Sequence, residues 1–155
     1  MGNKKKLLSV VGVLIILSGC TRQPNQIVTT CTDTSNPKFT QELVYITDLS
    51  GTFEGYQANI LLDLETKENL ENAVVSTKER AQNYNQYAWI DFSYTTENTT
   101  LKTIIEYDFR SVTPQEVKES GFTGFVDGDK FANIKDEKEI ENIKLRGAGF
   151  VCGEK

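Results

Sequence analysis

The chain has 155 residues, 38% of them hydrophobic and 25% charged, with 17 Lys and Arg against 22 Asp and Glu, three cysteines and no histidine. That length suits one domain with a single core, and its acidic balance leaves no electrostatic footprint for nucleic-acid phosphates or anionic lipid headgroups. The absence of histidine removes the commonest general base and metal ligand together.

Residues 1–20 fall into a basic start (Lys4, Lys5, Lys6), an apolar run over 7–17 and a small-residue end, the three-part layout of a secretory signal. The apolar run is too short for a helix that crosses a bilayer, which takes about twenty residues. The lysines stay on the cytoplasmic side, so the chain after Leu17 is expected to be exported. Leu17-Ser18-Gly19-Cys20 resembles the lipobox of bacterial lipoproteins, in which the cysteine thiol receives a diacylglyceryl group and cleavage falls just before it. The resemblance implies a signal peptide over 1–19, a lipidated Cys20 and residence on the extracytoplasmic face of a cell membrane, with the outer membrane left open where there are two. An ordinary secreted protein with a coincidental cysteine, or an uncleaved anchor, stays open as the alternative. With the three leader lysines gone, fourteen Lys and Arg face 22 Asp and Glu, a net charge of −8.

Residues 21–37 are rich in Thr, Asn, Gln, Ser and Pro and suit a tether. Cys31 and Cys152 are the cysteines beyond Cys20, in a setting where disulfides persist, and are expected to pair. Pairing would place the tether at 20–26 and a single domain at 27–155. Two free thiols remain the competing reading, and a catalytic or metal-binding cysteine is disfavoured by the missing histidine.

Runs 38–47 and 52–64 are β-rich and flank Asp48-Leu49-Ser50-Gly51, which predicts a hairpin. In the second run Tyr56, Ala58, Ile60, Leu62 and Leu64 share one face. Over 66–84 the period lengthens, with Leu70, Ala73, Val74, Thr77, Ala81 and Tyr84 on one side of a helix that Thr66 would cap. Alternation returns over 88–94 and 101–109, predicting a second hairpin. Thr113-Pro114-Gln115-Glu116 opens a short helix that Gly121 ends, residues 136–146 can form another, and Phe150-Val151-Cys152 reads as a last extended segment. The expected fold is α+β, an antiparallel sheet of about four to five strands with a central helix on one face and shorter C-terminal helices.

Three groups invite a site. Asp91, Glu106 and Asp108 lie on the two late strands and would form an acidic patch if they share the outer face; paired carboxylates can serve hydrolysis, and more commonly are a solvated surface. Asp127-Gly128-Asp129 has the look of a calcium loop, but the fifth and twelfth positions counted from Asp127 are Phe131 and Lys138, so a polar turn is expected. Among the aromatics Tyr84, Tyr87, Trp89, Tyr94 and Tyr107, strand alternation places Trp89 beside Asp91, as an exposed ring available for binding.

Three stretches, Glu42-Leu43-Val44-Tyr45, Ser76-Thr77-Lys78-Glu79-Arg80-Ala81 and Ile105-Glu106-Tyr107-Asp108-Phe109, resemble the YehR-like family of small bacterial lipoproteins across residues 31–119, while the part holding Cys152 departs from the pattern. The resemblance implies an α+β lipoprotein domain and carries no catalytic residues, metal or cofactor. The expected function is a non-enzymatic, membrane-anchored binding or envelope-maintenance module with a protein or small-molecule ligand. The alternatives are an interaction protein docking on another envelope component and a carboxylate-dependent envelope hydrolase. A Cys20→Ser precursor should lose incorporation of labelled palmitate, and persistent labelling would overturn the lipidation.

Overall fold

The computed structural model describes residues 25–122, 124–134 and 150–154. The leader, Cys20 and the helix expected over 136–146 lie outside the described residues. Strands β1 (Gln26–Asn36), β2 (Phe39–Asp48) and β3 (Phe53–Asp63) form an antiparallel meander. Helix α1 (Lys67–Tyr84) then leads to the hairpin of β4 (Ile90–Glu97) and β5 (Thr100–Asp108). A 3-10 turn (Phe109–Ser111) precedes α2 (Pro114–Glu119), a short ribbon of β6 (Val126–Asp127) and β7 (Lys130–Phe131), and β8 (Phe150–Glu154). The six long-sheet strands lie in the order β4-β5-β3-β2-β1-β8, antiparallel throughout.

The expected α+β class is therefore corrected. The fold is mostly β, with six strands in one sheet and two in a second, and two α-helices among the described residues. The extra strand at the start is β1, which composition disguised as a tether. Its polar content is largely threonine, and Thr29, Thr30, Thr32 and Thr34 are β-branched residues that suit a pleated surface. At the other end Phe150–Glu154 pairs outside β1 and completes the sixth strand. No shorter C-terminal helix follows α2 among the described residues.

Residues directly opposite in neighbouring strands share a face, so the register defines rows of side chains across the sheet. One inner row runs Phe92, Ile105, Ala58, Leu43, Cys31 and Cys152 across all six strands. Its last two members form a disulfide with an S–S distance of 2.11 Å, tying β8 to β1. Closing a loop of 121 residues restricts the unfolded chain and stabilises by about 3–5 kcal/mol. The neighbouring inner row runs Ile90, Tyr107, Tyr56, Tyr45 and Thr29. Onto it pack Phe53, Trp89, Phe109, Phe122 and Phe125, forming an aromatic cluster with ring centroids 4.9–6.3 Å apart. Burial holds the Tyr56 hydroxyl in its neutral form, its pKa pushed up to about 12.

Helix α1 starts where its sequence requires, with the Thr66 hydroxyl accepting from the Asn69 N–H at 3.2 Å. Thr77 and Ala81 are its buried positions, and Tyr84 meets Phe92 edge-on. Pro114 at the start of α2 sits behind a full capping box of Thr113 and Glu116, and Gly121 follows the helix at φ 89°, a conformation that glycine adopts freely.

Asn85 joins the helix to the sheet edge. Its own N–H caps α1 on the Ala81 carbonyl at 2.9 Å. Its side-chain amide donates to the Phe92 carbonyl at 2.9 Å and accepts from the Phe92 N–H at 2.6 Å. The amide thus occupies the place a seventh strand's peptide would take beside β4, and one residue pair away the Ile90 N–H is taken by the Tyr87 carbonyl. Asn85→Ala should cost about 1–2 kcal/mol in urea unfolding through loss of the two edge bonds. Asn85→Asp, which can still accept from Phe92 but not donate, should lie between. Wild-type stability in both would remove this role.

Candidate functional site

The outer face of the sheet is where the chemistry lies. Its rows follow from the same register: Asp91, Glu106, Gln57, Val44 and Thr30 in one, Asp108, Gly55 and Ile46 in the next, and Ser93, Ile104, Asn59, Glu42 and Thr32 on the far side. No described helix or strand covers this face. Asp91, Ser93, Lys102 and Glu106 are exposed, and Val44, Ile46 and Ile104 are half-buried.

Gly55 creates a depression in this surface. It has no side chain where its neighbours in the row carry them, and a Cβ there would lie 3.3 Å from the Tyr107 carbonyl oxygen and 3.4 Å from Ile46 Cδ1. Around it opens a hollow of about 330 Å³ lined by Ile46, Gln57, Asp91, Glu106, Asp108 and Arg110 among others. Glu54 also contributes, with its carboxylate accepting from Gln26 Nε2 at 2.6 Å, so the first residue of β1 forms part of the wall.

The three carboxylates behave differently. Asp108 accepts from the Arg110 side chain at 2.9 Å and from its backbone N–H at 3.0 Å, and these contacts hold it below the usual aspartate range despite partial burial. Asp91 and Glu106 are directly opposite across β4 and β5, a like-charge pair that destabilises the sheet locally. No cation lies within ion-pair distance of either among the described residues. Partial burial raises Glu106 above the usual glutamate value, and the facing Asp91 adds to the rise. Between the usual and the raised value the native state keeps a proton that the unfolded chain has released. Glu106 therefore makes stability fall as pH rises through that window. Asp108 acts in the opposite sense, its contribution present above the usual aspartate value and lost as pH falls through its lowered one.

The expected acidic patch is thus brought together by the structure, with Asp91, Glu106 and Asp108 round one hollow. Trp89 is corrected. It is 7% exposed, with its ring against Tyr87, Tyr107, Phe109 and Phe122. The alternation assumed for 88–94 fails there because β4 begins only at Ile90, and Trp89 still belongs to the turn after α1. Tyr84, Tyr87 and Tyr107 pack against the core, and Tyr94 is half-buried on the inner side of β4. Asp127-Gly128-Asp129 is the turn of the β6–β7 ribbon, where the Asp129 side chain is fully exposed and 3.5 Å from Lys118 Nζ. No group of three or more acidic or cysteine side chains is arranged for a metal ion among the described residues. Gly55, Gln26, Glu54 and Arg110 were missed; a glycine interrupting an alternating strand is the one sequence signal that pointed to the hollow.

No family model and no curated protein matches this sequence. The fold is shared with solved structures. An NMR structure of a protein from Streptococcus pneumoniae TIGR4 matches at a TM-score of 0.51 and 14% identity, over 100% of this chain and 98% of that one. The NMR structure of Escherichia coli YehR matches at 0.53 and 10% identity, over 84% of this chain and 93% of that one. At such identities the likeness concerns the fold alone.

Carboxyl titration by NMR should give Glu106 a midpoint above the ordinary glutamate value. Asp91→Asn should bring it part of the way down, because burial is the larger cause and remains. A complete return, or no movement at all, would contradict this order of causes.

Proposed function

We propose that this chain is a lipid-anchored extracytoplasmic binding module that presents the open face of its sheet close to the membrane. The observation that carries the reading is the place of the hollow. Gln26 lines it, and Gln26 is six residues beyond Cys20. Six residues reach at most about 20 Å when fully extended. With the lipid on Cys20, the hollow lies at the tethered end of the domain.

The sheet's two ends give the reading an orientation. The β2–β3 turn at Leu49 is beside the start of β1, since Gln26 pairs with Asp48. The β4–β5 turn at Asn98 lies at the opposite end, together with the β1–β2 turn. A binding role also suits the setting of Asp91 and Glu106. Both remain exposed, whereas general acid–base catalysis draws on enclosed, water-poor sites.

The lipidated protein in vesicles tests this. Cys20 is blocked by its lipid and Cys31 by Cys152, so single fluorophores can be attached at Leu49→Cys and Asn98→Cys. A quencher on the lipid headgroups should quench the Leu49 probe several-fold more strongly than the Asn98 probe. Equal quenching at the two ends would overturn the proposed presentation.

A further inference from the structure

We infer that the open sheet face docks a basic, partly apolar polypeptide segment of a partner protein, with Asp91 and Glu106 taking its cationic side chains. The inference rests on the binding role proposed above and names the partner's chemistry.

Two properties of the face argue for it together. The first is apolar area in an unusual place. Val28 on β1, Val44 and Ile46 on β2 and Ile104 on β5 occupy outer positions and are half-buried, and Val151 on the edge strand β8 is 76% exposed. An antiparallel sheet with one solvated face ordinarily displays polar residues there. Here the apolar side chains are interleaved with Thr30, Thr32, Gln57 and Asn59, the mixture found where protein surfaces meet.

The second property is charge. The row that ends this apolar strip carries Asp91 opposite Glu106, with Glu54 and Asp108 beside them round the hollow. Arg110 is held by Asp108, and Glu42 is engaged by the Asn59 amide at 2.8 Å. Among the described residues Asp91 and Glu106 therefore remain as a like-charge pair without a cation to neutralise it. A lysine or arginine placed between them relieves their repulsion and lowers the raised pKa of Glu106. The same charge sets an anionic membrane surface against this face, which favours a basic polypeptide over lipid as its occupant.

The test uses the full lipidated protein in neutral phosphatidylcholine vesicles and a short fluorescent peptide of Lys, Val and Thr, with protein-free vesicles subtracted. The peptide should bind, its counterpart with Glu for Lys should not, and added salt should weaken the complex. Asp91→Asn with Glu106→Gln should reduce affinity about tenfold and flatten the salt dependence. Unfolding curves check that the double variant is folded, and Val44→Asn supplies a second variant that should weaken binding by removing apolar contact while leaving the charge of the face unchanged. Equal binding to wild type and double variant would sink the docking inference. So would saturable binding of spermidine or calcium alone at the same carboxylates with no affinity for the peptide, which would make this a free-cation site. Either outcome leaves the probe-quenching result, and with it the proposed membrane presentation, standing separately.

Discussion

The fold rests on the aromatic packing beneath one end of the sheet. Tyr45, Tyr56 and Tyr107 stand side by side in one inner row, and Phe53, Trp89, Phe109, Phe122 and Phe125 close over them. Offset and edge-on contacts between such rings add to the area they remove from water. This cluster fixes which face of every strand points inward, because slipping any strand by one residue would exchange its aromatic set for its polar one. The disulfide continues the same logic at the far side, where Cys31 and Cys152 complete the adjacent inner row and hold β8 in register.

The outer surface is the complement of that arrangement. Once Tyr107 and Phe109 must point inward, Glu106 and Asp108 must point outward, and the pairing of β5 between β3 and β4 sets Glu106 between Gln57 and Asp91. The acidic carboxylates are thus brought together by three strands whose order in the sheet, β4-β5-β3, is not their order in the chain. Its depth comes from Gly55, and its electrostatic character from the contrast between an aspartate secured by Arg110 and a glutamate raised by burial and by Asp91.

Strands β2 to β5, helix α1 and helix α2 were legible in the sequence, since clear alternation, a clean helical stripe and recognisable caps mark them. Strand β1 was not, because threonine contributes β-branching while reading as polar. The parity of Trp89 also failed, since alternation holds only inside a strand and the turn after α1 ends two residues later than the pattern suggested. The grouping of Asp91, Glu106 and Asp108 on one face was legible from alternation alone. The hollow was not, because it depends on β5 rather than β4 being the neighbour of β3, a choice made by the path of α1 across the sheet.

The amide of Asn85 against Phe92 also bears on how copies of this protein can coexist. An unpaired strand edge is a template on which another extended chain can add, and each addition leaves a new edge. A protein anchored in a bilayer as proposed meets its own copies at high density and with their sheets similarly oriented, conditions that would favour such growth. With Phe92 engaged by Asn85 and the Ile90 N–H by Tyr87, the first half of β4 has its outward N–H groups already taken. The first half of that edge is blunted by a side chain from the same molecule, which opposes growth of the sheet there.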